Sequence, residues 1–237
     1  MSSLPRTTEE WFLFAGVVFL ILMSNACHEA GHALSAYLLG DRRAEVFRRA
    51  TLNPLPHIHW LYTVVLPFLS MLLLGWILGG AKPVRVDAGT IGPRRMALVA
   101  LAGPLANFLF AGFFIAILGF LIGAGWVDGT AAVVSPWWKV LKPAIWFSLI
   151  LGLFNLLPFP PLDGGHVLAM FLPDRARRVW YALSPAGIIL ALALTLWVGG
   201  TLAGLGLGRG WPEIYELIAS RAEDNVFAMA AFWRNVL

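Results

Sequence analysis

Charge is what this sequence has least of: Asp, Glu, Lys and Arg make up 13% of its 237 residues, against 59% hydrophobic residues and a mean hydropathy of +0.77. Soluble globular domains carry about 25% charged residues. Composition therefore excludes that class and predicts a chain whose solvent is lipid. Cysteine is reduced to one residue, Cys27, so an internal disulfide is excluded and the redox compartment stays unread; Cys27 reads as a small buried hydrophobe. A polar stretch long enough for a soluble domain is missing. So is a basic stripe interleaved with aromatics, because the Lys and Arg residues behind the net charge of +4 flank apolar segments, which argues against nucleic acid as a partner. The first apolar segment lacks the basic flank and small-residue cleavage site of a signal peptide, with Glu9, Glu10 and Cys27-His28-Glu29 in those places, and is expected to be retained.

What the chain does have is apolar length. Segments 11–23, 61–78, 96–122, 144–157 and 179–205 are apolar, and several reach the roughly 20 residues that a bilayer-spanning helix needs. The 11 Trp residues suit interfacial anchoring, and Trp137-Trp138 stands beside a segment start. The expected fold is an all-α polytopic membrane protein forming one unit over residues 1–237. Its core is 11–175, and its C-terminal tail 211–237 mixes Trp211, Tyr215, Leu217, Phe227 and Trp233 with charges, as an amphipathic surface helix does.

One motif carries chemistry. In Asn25-Ala26-Cys27-His28-Glu29-Ala30-Gly31-His32, the two histidines lie four apart, on one helical face, and can share a metal ion. Glu29 falls about 100° further round the helix. A carboxylate beside a zinc-held water suits general-base catalysis of attack on a polarised carbonyl. The composition yields a His-Glu-x-x-His match by chance about 0.003 times. Packing such ionisable groups at membrane depth without partners costs about 2.5–3.5 kcal/mol each.

A catalytic zinc takes three protein ligands and keeps one position open. Candidates for the third ligand are His57, His59, Asp87, Asp128, Asp163 and His166. Asp163 and His166 alone follow directly on an apolar segment broken by prolines, in Asn155-Leu-Leu-Pro158-Phe-Pro160-Pro161-Leu-Asp163-Gly164-Gly165-His166. Irregular backbone at membrane depth is tolerated where it is buried in protein or lines a polar cavity. A proline-rich surface loop with a solvated Asp is the alternative.

At these residues the sequence resembles the site-2 protease family of intramembrane zinc metalloproteases, peptidase family M50, in its compact prokaryotic form without PDZ or CBS domains. His28-Glu29-Ala30-Gly31-His32 matches that family's zinc motif, and Asn155 to Gly165 matches its Asn-x-x-Pro and Leu-Asp-Gly element. Leu52-Asn53-Pro54 leading to His57, Gly80 to Val84, and Ala102-Gly103-Pro104-Leu105-Ala106-Asn107 agree as well. The resemblance implies one Zn²⁺ per chain held by His28, His32 and Asp163, with Glu29 as base. It implies a substrate that is a transmembrane protein, contacted by Asn155 and by a short membrane-dipping β element at Gly80, Ala81, Lys82, Pro83 and Val84; Asn107 reads equally as a substrate contact or as an amide satisfying backbone between helices. His59 departs from the family pattern, which has Asp after His-Ile. A second metal site at His57 and His59 competes there with a polar interfacial loop.

Depth and charge predict the topology. His28 lies 17 residues beyond Trp11, or about 26 Å along a helix, against a hydrocarbon core of about 30 Å. Asp163 must reach that depth from the end of segment 144–157, so both helices must cross in the same direction. Arginines 42, 43, 48 and 49 precede segment 61–78, and Lys82, Arg85, Arg94 and Arg95 follow it, so the positive-inside rule predicts that it enters and leaves on the cytoplasmic side. With Arg175, Arg177 and Arg178, that side holds eleven of the 17 Lys and Arg residues. Four to five transmembrane helices plus a re-entrant segment are expected in a prokaryotic cell membrane, with the active site near the cytoplasmic face. Ser24, Asn25 and Asn155 are candidates to line a water path. A metal transporter and an inactive helix-binding scaffold are the alternatives; transport leaves Glu29 unexplained, and no inverted repeat is evident. Substrate identity and oligomeric state are not legible.

Overall fold

The computed structural model describes residues 6–69, 80–127, 135–198 and 210–236. Helix α1 (Thr8–Leu38) begins at a capping box, in which Thr7 Oγ1 accepts from Glu10 N–H and the Glu10 carboxylate accepts from Thr7 N–H. Its 31 residues extend about 46 Å. The buried face is Ser24, Ala26, His28, Glu29, Ala30, Ala33 and Ala36, while Phe12, Phe14, Phe19 and Leu34 point outward. Small residues inside and large apolar ones outside is the pattern of helices that pack closely in lipid.

After α1 come the short helix α2 (Ala44–Arg49) and helix α3 (Trp60–Leu69), which opens with a wide turn over Trp60–Val65. Helix α4 (Ala88–Gly123) is the centre of the fold, packed on α1, α5 (Pro136–Asn155), α6 (Asp163–Ala169) and α9 (Gly210–Val236). Asp87 caps it by accepting from Gly89 and Thr90 N–H. Gly92, at φ 74°, turns the chain ahead of Pro93, a conformation that glycine alone adopts readily.

Among the described residues three helices, α1, α4 and α5, are long and apolar enough to cross a membrane. The protein is an all-α membrane protein. The fifth apolar segment yields α8 (Ser184–Val198), preceded by α7 (Asp174–Ala182); residues 199–205 of that segment lie outside the described residues. So do residues 70–78 of the expected re-entrant segment. The ends of that stretch meet: Gly80 N–H donates to the Tyr62 carbonyl at 3.0 Å, and Thr63 Oγ1 donates to the Gly80 carbonyl at 2.8 Å.

No strand occurs among the described residues, and Gly80–Val84, where the β element is expected, is irregular chain. The reason is local. The Lys82 N–H goes to the His57 carbonyl, and the Val84 N–H goes to the Glu29 side chain, so no neighbouring strand receives them.

The tail forms α9, whose described part is seated on α4. A Cβ on Gly119 would approach Met229 Cβ to 2.6 Å, and one on Gly123 would approach Trp233 Cβ to 2.7 Å. Two glycines four apart thus open a seam for α9, in which Val226 and Ala230 are buried. Lys142 of α5 pairs with Glu223 beside it.

Candidate active site

The helical period puts His28 and His32 on the face of α1 that meets α4. Their Nε2 atoms lie 3.1 Å apart. Asp163, the first residue of α6, reaches them from the far side of the bundle, its Oδ2 lying 3.3 Å from His28 Nε2 and its Oδ1 3.3 Å from His32 Nε2. Gly164 and Gly165 make that approach feasible. A Cβ on Gly165 would come within 2.6 Å of the Phe159 backbone, and one on Gly164 would meet the Leu157 carbonyl oxygen at 2.5 Å, so α6 lies flat against the proline-broken turn.

The rest of the hydrogen-bond network settles where the imidazole protons sit. Asn107 is fully buried, and its Nδ2 donates to Ser24 Oγ and to the Ser148 carbonyl at 3.3 Å each. Its Oδ1 therefore faces His28 Nδ1 at 2.9 Å and accepts a hydrogen bond from its N–H. His32 Nδ1 donates likewise to the Val99 carbonyl at 2.8 Å. Pro104 offers no N–H to the Ala100 carbonyl in the adjoining turn of α4. Both imidazoles, when neutral, then turn their Nε2 lone pairs toward each other and toward Asp163.

Three converging electron pairs suit a metal ion. Asp163 Oδ2 is buried and accepts no hydrogen bond. Tetrahedral zinc with bonds of about 2.0–2.1 Å sets its donors about 3.3 Å apart, close to the 3.1 and 3.3 Å observed. Among the described residues this is the one group of three His, Cys, Asp or Glu side chains placed to hold a metal ion.

Glu29, 8% exposed, accepts the Val84 N–H on Oε2 at 2.9 Å. The strap carrying Val84 is anchored on both sides. Arg49 donates to the carbonyls of Pro56 and Lys82. Arg43 donates to the Arg85 carbonyl at 2.7 Å, and Asp41, 1% exposed, accepts from Arg43 and from Asp87 N–H. The Arg43 guanidinium, helped by that N–H, holds the Asp41 carboxyl at about 2. Its contribution is complete above the ordinary carboxylate range and disappears only as pH falls toward 2.

The other sequence candidates lie elsewhere. His57 Nε2 donates to the Thr51 carbonyl, His59 stacks on Tyr62, Asp87 caps α4 and His166 Nδ1 meets the Tyr181 hydroxyl. Asp128 is outside the described residues. The Asn155 amide donates to the Leu151 carbonyl within α5, and Asn25 to Ile21 within α1. Ser24 is fully buried and donates to Ser148 Oγ at 2.9 Å. Asn107 stands behind His28, where an orienting group belongs. Sequence reasoning missed Asp41, Arg43 and Arg49 as strap anchors and Ser148 as a support; single polar residues at unremarkable spacings carry no signal for such contacts.

Gly103 supplies a test of the packing. A Cβ there would stand 2.9 Å from His28 Cε1 and closer still to the His32 ring, while Gly31 opposite already lets α1 close on the Ala102 carbonyl. Gly103→Ala is expected to push the rings out of register and lower zinc affinity by about 10–100-fold, the range for disturbing what orients metal-bound histidines. Competition with a zinc chelator measures it.

Comparison with known proteins identifies the family. YwhC of Bacillus subtilis is 34% identical over 186 residues, covering 75% of this chain and 78% of its own. Rip2 of Mycolicibacterium smegmatis is 34% identical over 191 residues, 77% of this chain and 69% of its own, and Rip2 of Mycobacterium tuberculosis is 33% identical over 237 residues, 97% and 86%. All three carry zinc metalloprotease in their names. No solved structure matches. The family profile of peptidase family M50 matches residues 16–197, a stretch that contains both histidines, Glu29 and Asp163, and the chain belongs to that family.

Proposed function

We propose that this protein is an intramembrane zinc endopeptidase that cleaves membrane-protein substrates in or beside a transmembrane segment. The observation that carries the reading is the convergence of Asp163 on His28 and His32, beside Glu29 on α1, a helix long and apolar enough to cross a membrane. Bound zinc supplies a Lewis acid for the scissile carbonyl and for the attacking water. Glu29 takes the proton of that water at Oε1, since Oε2 is held by Val84 N–H, and returns it to the departing amine. Membership of a peptidase family does not favour the transport and scaffold alternatives.

A helical substrate hides its carbonyls in its own hydrogen bonds, so it must unwind before hydrolysis. We assign the strap Gly80–Val84 as the place where the extended substrate lies, through strand addition. Because the N–H groups of Gly80, Lys82 and Val84 are already engaged, a pairing substrate displaces one of them or uses strap carbonyls.

The meeting of Gly80 with Tyr62 and Thr63 supports a segment 61–78 that enters and leaves on one side, and the basic flanks put that side in the cytoplasm. The experiment is cleavage of a transmembrane substrate by the purified protein in lipid vesicles. Metal removal by chelation is expected to stop cleavage and added zinc to restore it; cleavage that persists after the metal is gone overturns the reading.

A further inference from the structure

Helix α6 has seven residues and begins on Asp163, so it cannot fix that carboxylate alone; short isolated helices are marginal. What holds it is the inner face of α7. Arg177 donates to the Ala169 carbonyl at 3.0 Å and to the Leu172 carbonyl at 2.7 Å, Trp180 Nε1 donates to the Gly165 carbonyl at 3.0 Å, and the Tyr181 hydroxyl meets His166 Nδ1 at 3.0 Å. The outer face of α7 is unlike the inner one. No residue of α7 is buried, and Arg175 and Arg178 are exposed beside Val179 at 65% and Leu183 at 48%.

Arginines edging an exposed apolar strip are the signature of a helix lying in a membrane interface, apolar side down and basic side toward anionic headgroups. Position agrees. Helix α7 stands between the end of α5, long and apolar enough to cross, and the start of the apolar α8 at Ser184.

We propose that the outer face of α7 is a docking surface for anionic lipid headgroups, and that lipid engaged there steadies α6 and therefore the Asp163 carboxylate. The inference rests on the reading of Asp163 as the third zinc ligand. Arg175 and Arg178 contact the lipid; Arg177, Trp180 and Tyr181 are positioning residues that transmit its effect to α6.

The test uses the whole protein, loaded with zinc, in nanodiscs of phosphatidylcholine alone or mixed with phosphatidylglycerol, and follows zinc loss to an external chelator together with substrate cleavage. Phosphatidylglycerol is expected to slow zinc loss by up to about tenfold in the wild type, within what two arginines at an anionic surface supply. In Arg175→Gln/Arg178→Gln that gain is expected to vanish while the phosphatidylcholine values stay unchanged. Equal zinc loss in the two lipids by the wild type, or full retention of the lipid effect by the double variant, overturns the proposal. Asp163→Ala in phosphatidylcholine separates the two readings: zinc loss at the wild-type rate convicts the ligand assignment, whereas rapid loss combined with a lipid-indifferent wild type convicts only the coupling to lipid.

Discussion

Glu29→Gln is expected to keep its zinc and to cleave a transmembrane substrate about 10²–10⁴-fold more slowly than the wild type, the range that a positioned general base contributes. The substitution is nearly isosteric, so the contacts around the site survive it. The Gln side-chain oxygen can still accept the Val84 N–H, now 2.9 Å from Oε2, and the strap keeps its anchors at Arg49, Arg43 and Asp41. The histidines are untouched, because their second nitrogens are held by Asn107 and Val99 rather than by Glu29. Only the capacity to take a proton disappears. Metal analysis beside a cleavage assay separates this outcome from misfolding, and a variant that keeps zinc and cleaves at the wild-type rate rules out Glu29 as the base.

Asp163→Ala is expected to act the other way, by releasing the metal. Removing one of three protein ligands takes away roughly a quarter of a zinc-binding free energy of about 10–16 kcal/mol, or about 10²–10³ in affinity. The fold should persist. The carboxylate makes no hydrogen bond through Oδ2, and α6 is held by Arg177 and Trp180 through carbonyls further along. Isothermal titration with zinc reads the loss; wild-type affinity in the variant would move the third ligand elsewhere.

The two variants differ in how visible their residues are in the sequence. His28, Glu29 and His32 are legible because the helical period is local: residues four apart share a face whatever the remainder of the chain does, and lipid makes their presence there costly without a partner. Asp163 is legible only through the prolines that break its segment and through likeness to a family, since nothing local says which of several acidic or imidazole groups comes back to α1. Asn107 shows the limit from the other side. As a sequence feature it reads equally as a substrate contact or a satisfied amide, and its role behind His28 emerges only when Ser24 and Ser148 occupy its other hydrogen bonds.

By itself, then, the sequence determined the solvent, the helical class, the His-Glu-x-x-His face and the family. Tertiary structure alone decided that Asn107 and the Val99 carbonyl set the two tautomers, why Gly103 and Gly165 carry no side chain, and that the strap from Gly80 to Val84 rests on Glu29. The reason is physical. In water, apolar pattern tells the inside of a helix from the outside, but in lipid both faces are apolar, and which face packs is settled by small residues and hydrogen bonds between groups distant in the chain.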